Sequence, residues 1–171
     1  MWELAFGAGS CLEGFTGLRR EAILGMVEIV VGLLGMKEWD IDAIDNMGRA
    51  ALAWADIGGH EEVVKVLLQC KDAKVETTDT EYGRTLLLWA SEKGHLGVVK
   101  LLLEREDINP NTADTEDGQT PLSWAVANGH EGVVKLLLER EDINPNTADT
   151  EYGQTLRSWA AESGHEVVVR L

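Results

Sequence analysis

The amino-acid sequence predicts an all-α solenoid, in which stacked helix-turn-helix units are joined by β-hairpin or loop fingers. Three observations carry this reading. Gly-His pairs recur every 35 residues, at Gly59-His60, Gly94-His95, Gly129-His130 and Gly164-His165. Tryptophan keeps the same step at Trp54, Trp89, Trp124 and Trp159, each followed by alanine, and so does glycine at Gly48, Gly83, Gly118 and Gly153. Finally, Lys100 to Gly118 and Lys135 to Gly153 differ only at Asp117 against Tyr152, which points to duplication of one unit. A fixed period of this length is the signature of a repeat architecture.

The unit from Gly118 to Asp149 shows how each element arises. Thr120 suits the N-cap of a first helix and Pro121 its first position, where no backbone N–H is needed. Leu122, Trp124, Ala125 and Val126 make that helix short and apolar. It ends near Asn128-Gly129, where glycine can take a left-handed conformation. A second helix begins near His130. In it Val133, Val134, Leu136, Leu137 and Leu138 recur at three- and four-residue spacing and give a wide apolar face. Lys135, Glu139 and Arg140 fall on the wetter side. The stretch from Glu141 to Gly153 is polar, with turn signals at Asn144-Pro145-Asn146 and Gly153.

Such a unit cannot bury its apolar face alone, whereas stacked neighbours can. The tryptophan is expected on the first helix, wedged between layers. Replacing Trp89 or Trp124 by alanine is then expected to cost about 3–5 kcal/mol. The chain divides into an N-terminal segment (1–14), a degenerate capping unit (15–47), three full units (48–82, 83–117 and 118–152) and a truncated one (153–171). The run from Val27 to Leu34 reads as the second helix of the capping unit, one residue out of the later period. Val167, Val168 and Leu171 have no following layer, which suggests a fragment of a longer array.

These motifs resemble the ankyrin repeat family. The closest stretch is Thr120-Pro121-Leu122-Ser123-Trp124-Ala125-Val126, then Gly129-His130, then Val133-Val134-Lys135-Leu136-Leu137-Leu138. The resemblance covers Gly48 to Leu171 and, more weakly, Gly17 to Met47. The family period is about 33 residues, so longer loops and extended hairpin fingers are expected. The first-helix histidine of the family is replaced by Ala53, Leu88, Ser123 and Ser158, and one N-cap threonine is Ala50. The tryptophan-bearing variant with a longer loop is similar to arrays common in filamentous fungi.

Composition narrows the function. The chain has 171 residues, 15 of them basic and 30 acidic, for a net charge of −15. Such a balance repels nucleic-acid phosphates and anionic lipid, so neither is expected as a partner. The two cysteines, Cys11 and Cys70, make no disulfide framework and fit a reducing, intracellular and cytoplasmic setting, with the nucleus left open. Met1 to Gly14 lacks the basic start of a signal peptide. Ala22 to Met36 is the most apolar run, and it is shorter than the roughly 20 residues that span a bilayer.

No catalytic constellation, cofactor or metal is expected. Stacked helices lie about 8–10 Å apart, so period-matched histidines cannot share an ion at about 2 Å. Glu81, Glu116 and Glu151 are separated in the same way. Glu104, Asp107, Glu139 and Asp142 read as a solvated face. Gly7, Gly9 and Gly14 lack the lysine and hydroxyl residue of a phosphate loop.

The resemblance implies a protein partner lying along the concave face built from finger tips and first helices. Carried onto this chain, the tips are Glu81, Tyr82, Glu116, Asp117, Glu151 and Tyr152. Arg49, Arg84, Gln119 and Gln154 lie at the finger bases. Ile57, Glu92, Lys93, Ala127, Asn128, Glu162 and Ser163 lie on the first helices. Tyr82 and Tyr152 are the only tyrosines, a residue type enriched in binding hot spots. Acidic tips favour a partner with a basic surface and salt-sensitive association. The leading function is a protein-binding scaffold or adaptor. The alternative is a regulatory or targeting segment of a larger enzyme whose catalytic domain lies elsewhere.

Overall fold

A computed structural model describes residues 17–35, 40–70 and 73–145. Eight short helices occupy the described residues and pair into four layers. Helices α1 (Gly17–Ile23) and α2 (Val27–Gly35) form the first layer, and α3 (Ala51–Ile57) and α4 (Glu61–Leu68) the second. The third layer is α5 (Leu86–Lys93) with α6 (Leu96–Leu103), and the fourth is α7 (Pro121–Ala127) with α8 (Glu131–Leu138). First helices contact first helices of neighbouring layers more extensively than second helices contact second helices. The first-helix side, which the fingers adjoin, is therefore the more closely packed side of the array.

The helices are too short to be stable alone in water, so their ends and their packing matter. Thr85 and Thr120 cap α5 and α7, each hydroxyl accepting from the backbone N–H three residues on (Leu88 and Ser123, both 3.3 Å). Ala50 stands at the same place before α3 and makes no side-chain cap. Pro121 opens α7 as expected. Between the two helices of a layer the chain turns through glycine. Gly59, Gly94 and Gly129 have φ of 67°, 74° and 71°, a region costly for any residue with a Cβ.

The apolar faces merge into one cluster running through all four layers. Leu18, Ala22 and Val30 join it from the first layer. Leu52, Val63 and Leu67 follow, then Leu86, Val98 and Leu102, then Leu122, Val133 and Leu137. Each wholly buried leucine contributes about 1.5–3 kcal/mol by leaving water.

Polar contacts also tie layer to layer. In the three described Gly-His pairs the histidine stands at the N-cap of a second helix but makes no cap bond there. Its Nε2 instead reaches the last turn of the preceding first helix: His60 to Ile23 O (2.8 Å), His95 to Ile57 O (3.1 Å) and His130 to Glu92 O (2.8 Å). These histidines bridge layers instead of capping their own helices. The fingers differ from expectation as well. No strand forms among the described residues, and one isolated bridge joins Thr78 to Thr85. The described fingers make tight turns instead of extended hairpins. Trp159, Ser158 and the unit from 153 onward lie outside the described residues.

Candidate binding face

The inner face is built on three aspartates. Asp45, Asp79 and Asp114 each open a finger. Asp79 Oδ1 accepts from the backbone of Glu81 (3.0 Å) and Tyr82 (2.7 Å), and Asp114 Oδ1 from Asp117 (3.0 Å) and Gln119 (3.2 Å). Asp45 does the same for Met47 and Arg49. Backbone bonds close the turns, as from Asp79 N to Arg84 O at 3.1 Å. The second carboxylate oxygen of each aspartate accepts from a tryptophan Nε1: Asp45 from Trp54 (2.8 Å), Asp79 from Trp89 (2.9 Å) and Asp114 from Trp124 (2.8 Å). One side chain thus fixes the finger and fastens it to the first helix.

Two arginines join these units. The Arg49 guanidinium lies 5.3 Å from the Trp54 ring centre and 5.0 Å from that of Trp89. Arg84 lies 4.8 Å from Trp89 and 4.5 Å from Trp124. The order along the face is Trp54, Arg49, Trp89, Arg84, Trp124. Of the tryptophans, expected between adjacent layers, Trp89 and Trp124 do stand against an arginine of the neighbouring layer, but all three lie beside the merged apolar cluster and not within it. They stand on the inner face under arginine, with Trp89 buried and Trp54 and Trp124 half-buried. A guanidinium is weakly hydrated and stacks on aromatic faces, so it is suited to this place.

Arg84 also gathers carboxylates. Its Nη1 is 2.6 Å from Glu92, its Nε 3.7 Å from Asp114 and its Nη2 3.8 Å from Glu116. Arg49 lies 3.4 Å from Glu81. Much of the acidity at the tips is thus balanced from within.

The residues expected to meet a partner divide into two groups. Glu81, Glu116, Lys93 and Asn128 are exposed, and Tyr82, Glu92 and Asp117 are half-buried. Glu81 and Glu116 share the tip position of successive fingers, and Lys93 and Asn128 share the end of successive first helices. Arg84 and Gln119, by contrast, are 8% and 5% exposed. They support the surface from below and offer little of it. Tyr82 packs edge-on against Trp89 at 6.2 Å, with Arg84 4.8 Å over its ring. A hydrogen bond to Glu81, and then that carboxylate's charge, hold the phenol above its ordinary pKa. Glu151, Tyr152 and Gln154 lie outside the described residues.

The sequence reading passed over the finger aspartates. Asp79, Asp114 and Asp149 keep the 35-residue step, each four residues before a period-matched glycine. That register was the available signal. Among the described residues no cluster of three His, Cys, Asp or Glu could hold a metal ion. No helix there is long and apolar enough to cross a membrane.

A family model described as ankyrin repeats (3 copies) matches residues 18–114 and 106–171. No curated protein matches the chain.

Proposed function

Because the chain belongs to the ankyrin repeat family, whose repeats generally bind other proteins, we propose that it is a non-catalytic scaffold or adaptor that holds a protein partner along its inner face. One observation carries this reading. Exposed Glu81 and Glu116, with Lys93 and Asn128, stand in register on a frame whose loops, rings and helices are already fixed by Asp79, Asp114, Trp89 and Arg84. Side chains on a rigid frame lose little entropy on binding, which favours affinity. The repeated aspartates Asp79 and Asp114 lie beneath this surface, where they hold the fingers in place.

The partner in this reading carries a basic surface. The acids that remain at the tips, and a net charge of −15, steer cations toward this face and phosphate backbones away from it. A reducing, cytoplasmic setting fits the cysteine content.

The test begins with affinity capture and mass spectrometry to obtain a partner. Two charge-matched variants are then compared. Glu81→Lys with Glu116→Lys alters the inner face, and Glu104→Lys with Glu139→Lys alters exposed positions near the ends of α6 and α8. The inner pair is expected to weaken binding by about tenfold or more, roughly 1.4 kcal/mol, and the outer pair to leave it nearly unchanged. Equal losses would show that total charge matters and the face does not.

A further inference from the structure

Asp56 is out of place in the core. It lies in the last turn of α3, is 0% exposed, and neither carboxylate oxygen is hydrogen-bonded by any described residue. The matching positions in the other layers are Ala22, Ser91 and Val126, all buried. The Ser91 hydroxyl, one layer on, is likewise buried without a described partner. Two unpartnered polar groups therefore occupy adjacent places in an interior row that is otherwise apolar.

Helix α3 packs against α1, α4 and α5. The titratable and charged groups on these elements are Arg19, Arg20 and Glu21 on α1, His60, Glu61, Glu62 and Lys65 along α4, and Glu92, Lys93 and His95 along α5. None is hydrogen-bonded to Asp56. Arg19 donates to Ala43 O, His60 and His95 reach Ile23 O and Ile57 O, and Glu92 is paired with Arg84 and Lys93. Arg20, Glu61, Glu62 and Lys65 are exposed. Glu21 is half-buried, with one oxygen also unpartnered, and it adds no positive charge.

An ionised carboxylate without a partner is strongly disfavoured in such surroundings. Burial alone pushes the Asp56 carboxyl well above its ordinary 3.8.

We propose that Asp56 makes the α1–α3–α5 joint a pH-sensitive weak point of the stack, closed while its carboxyl is protonated and loosened when the carboxyl ionises. The sign follows from proton linkage. The folded chain holds this proton more tightly than the unfolded chain does. Stability from this group is thus complete below the ordinary carboxyl value and is lost as pH rises through the raised one.

The experiment compares the wild-type chain with Asp56→Asn and Asp56→Val from about pH 4 to about pH 8, the range spanning ordinary carboxyl and imidazole titration. Asparagine keeps shape and polarity but does not titrate. Valine is the residue that the fourth layer uses here. Urea midpoints and hydrogen exchange by mass spectrometry are read at each pH. All other groups are the same in the three proteins, so differences between them isolate Asp56. The wild-type midpoint is expected to fall relative to both variants as pH rises, with exchange rising first in α1, α3 and α5. Gaps that stay constant with pH would overturn the proposal. So would extra exchange spread equally through α7 and α8.

Discussion

At the scale of single residues, the inner face depends on a few side chains that each do two things. Asp79 is the clearest case, since it holds its finger with one oxygen and Trp89 with the other. Trp89→Phe keeps the apolar area but leaves Asp79 Oδ2 buried without a donor, so a loss of about 1–3 kcal/mol is expected in urea titration. Trp89→Ala is expected to lose about 3–5 kcal/mol. If the phenylalanine variant matched wild type, the hydrogen bond would contribute nothing. Gly94 is constrained twice. Its φ is 74°, and a Cβ there would lie 2.5 Å from His130 Nδ1 in the next layer. The left-handed conformation alone makes Gly94→Ala cost about 1–2 kcal/mol, and displacement of His130 adds to it. A loss of a few tenths in thermal melting would mean that the turn relaxes freely. Both residues announced themselves in the sequence through their period. What each touches did not, because the partner of His130 is Glu92 O, 38 residues away.

Helices and loops were more legible, because their signals are local. Thr120, Pro121 and the Asn128-Gly129 end of α7 fall where residue preferences place them. The absent cap at Ala50 is equally visible and suggests a repair. Ala50→Ser gives α3 the oxygen that Thr85 gives α5, so a gain of about 0.5–1 kcal/mol is expected, read as a higher urea midpoint. Fingers were harder to read, since a longer period says that residues are added but not how they fold. Here the fingers fold into turns held by Asp79 and Asp114. The loops after the second helices carry their own clasp. Arg105 forks Asp107 at 2.8 and 2.7 Å, and this hydrogen bonding, with the guanidinium charge, holds the Asp107 carboxyl below its ordinary value of 3.8. A lowered carboxyl value contributes stability above the ordinary range and loses it as pH falls through the lowered one. Carboxyl titration followed by NMR should place Asp107 below 3.8, and Arg105→Gln should bring it back toward that value. An unmoved midpoint would mean that the fork is open in solution.

On the scale of the whole molecule, the chain is a row of layers that hold one another. The period made the stacking legible, and the merged apolar cluster agrees with it. The inner ladder was not legible. It depends on Arg49 and Arg84 lying over the rings of their own and the next layer, whereas the sequence alone places both at a surface. Charge patterning cannot distinguish an arginine that faces water from one clamped between indoles. This ladder makes the face rigid enough to present Glu81, Glu116, Lys93 and Asn128 as a unit. Association with a basic partner should accordingly slow when salt rises from about 0.05 to about 0.5 M, with the frame itself unchanged in its circular dichroism.

The most direct test of that coupling is a double-mutant cycle between Arg84 and Trp124, which belong to successive layers and meet at 4.5 Å. Stabilities of wild type, Arg84→Met, Trp124→Leu and the double variant are measured by urea denaturation. A coupling energy of about 0.5–2 kcal/mol is predicted. Additive losses, with no coupling outside error, would mean that the rings and arginines only lie near one another and that the inner face is not a joined frame.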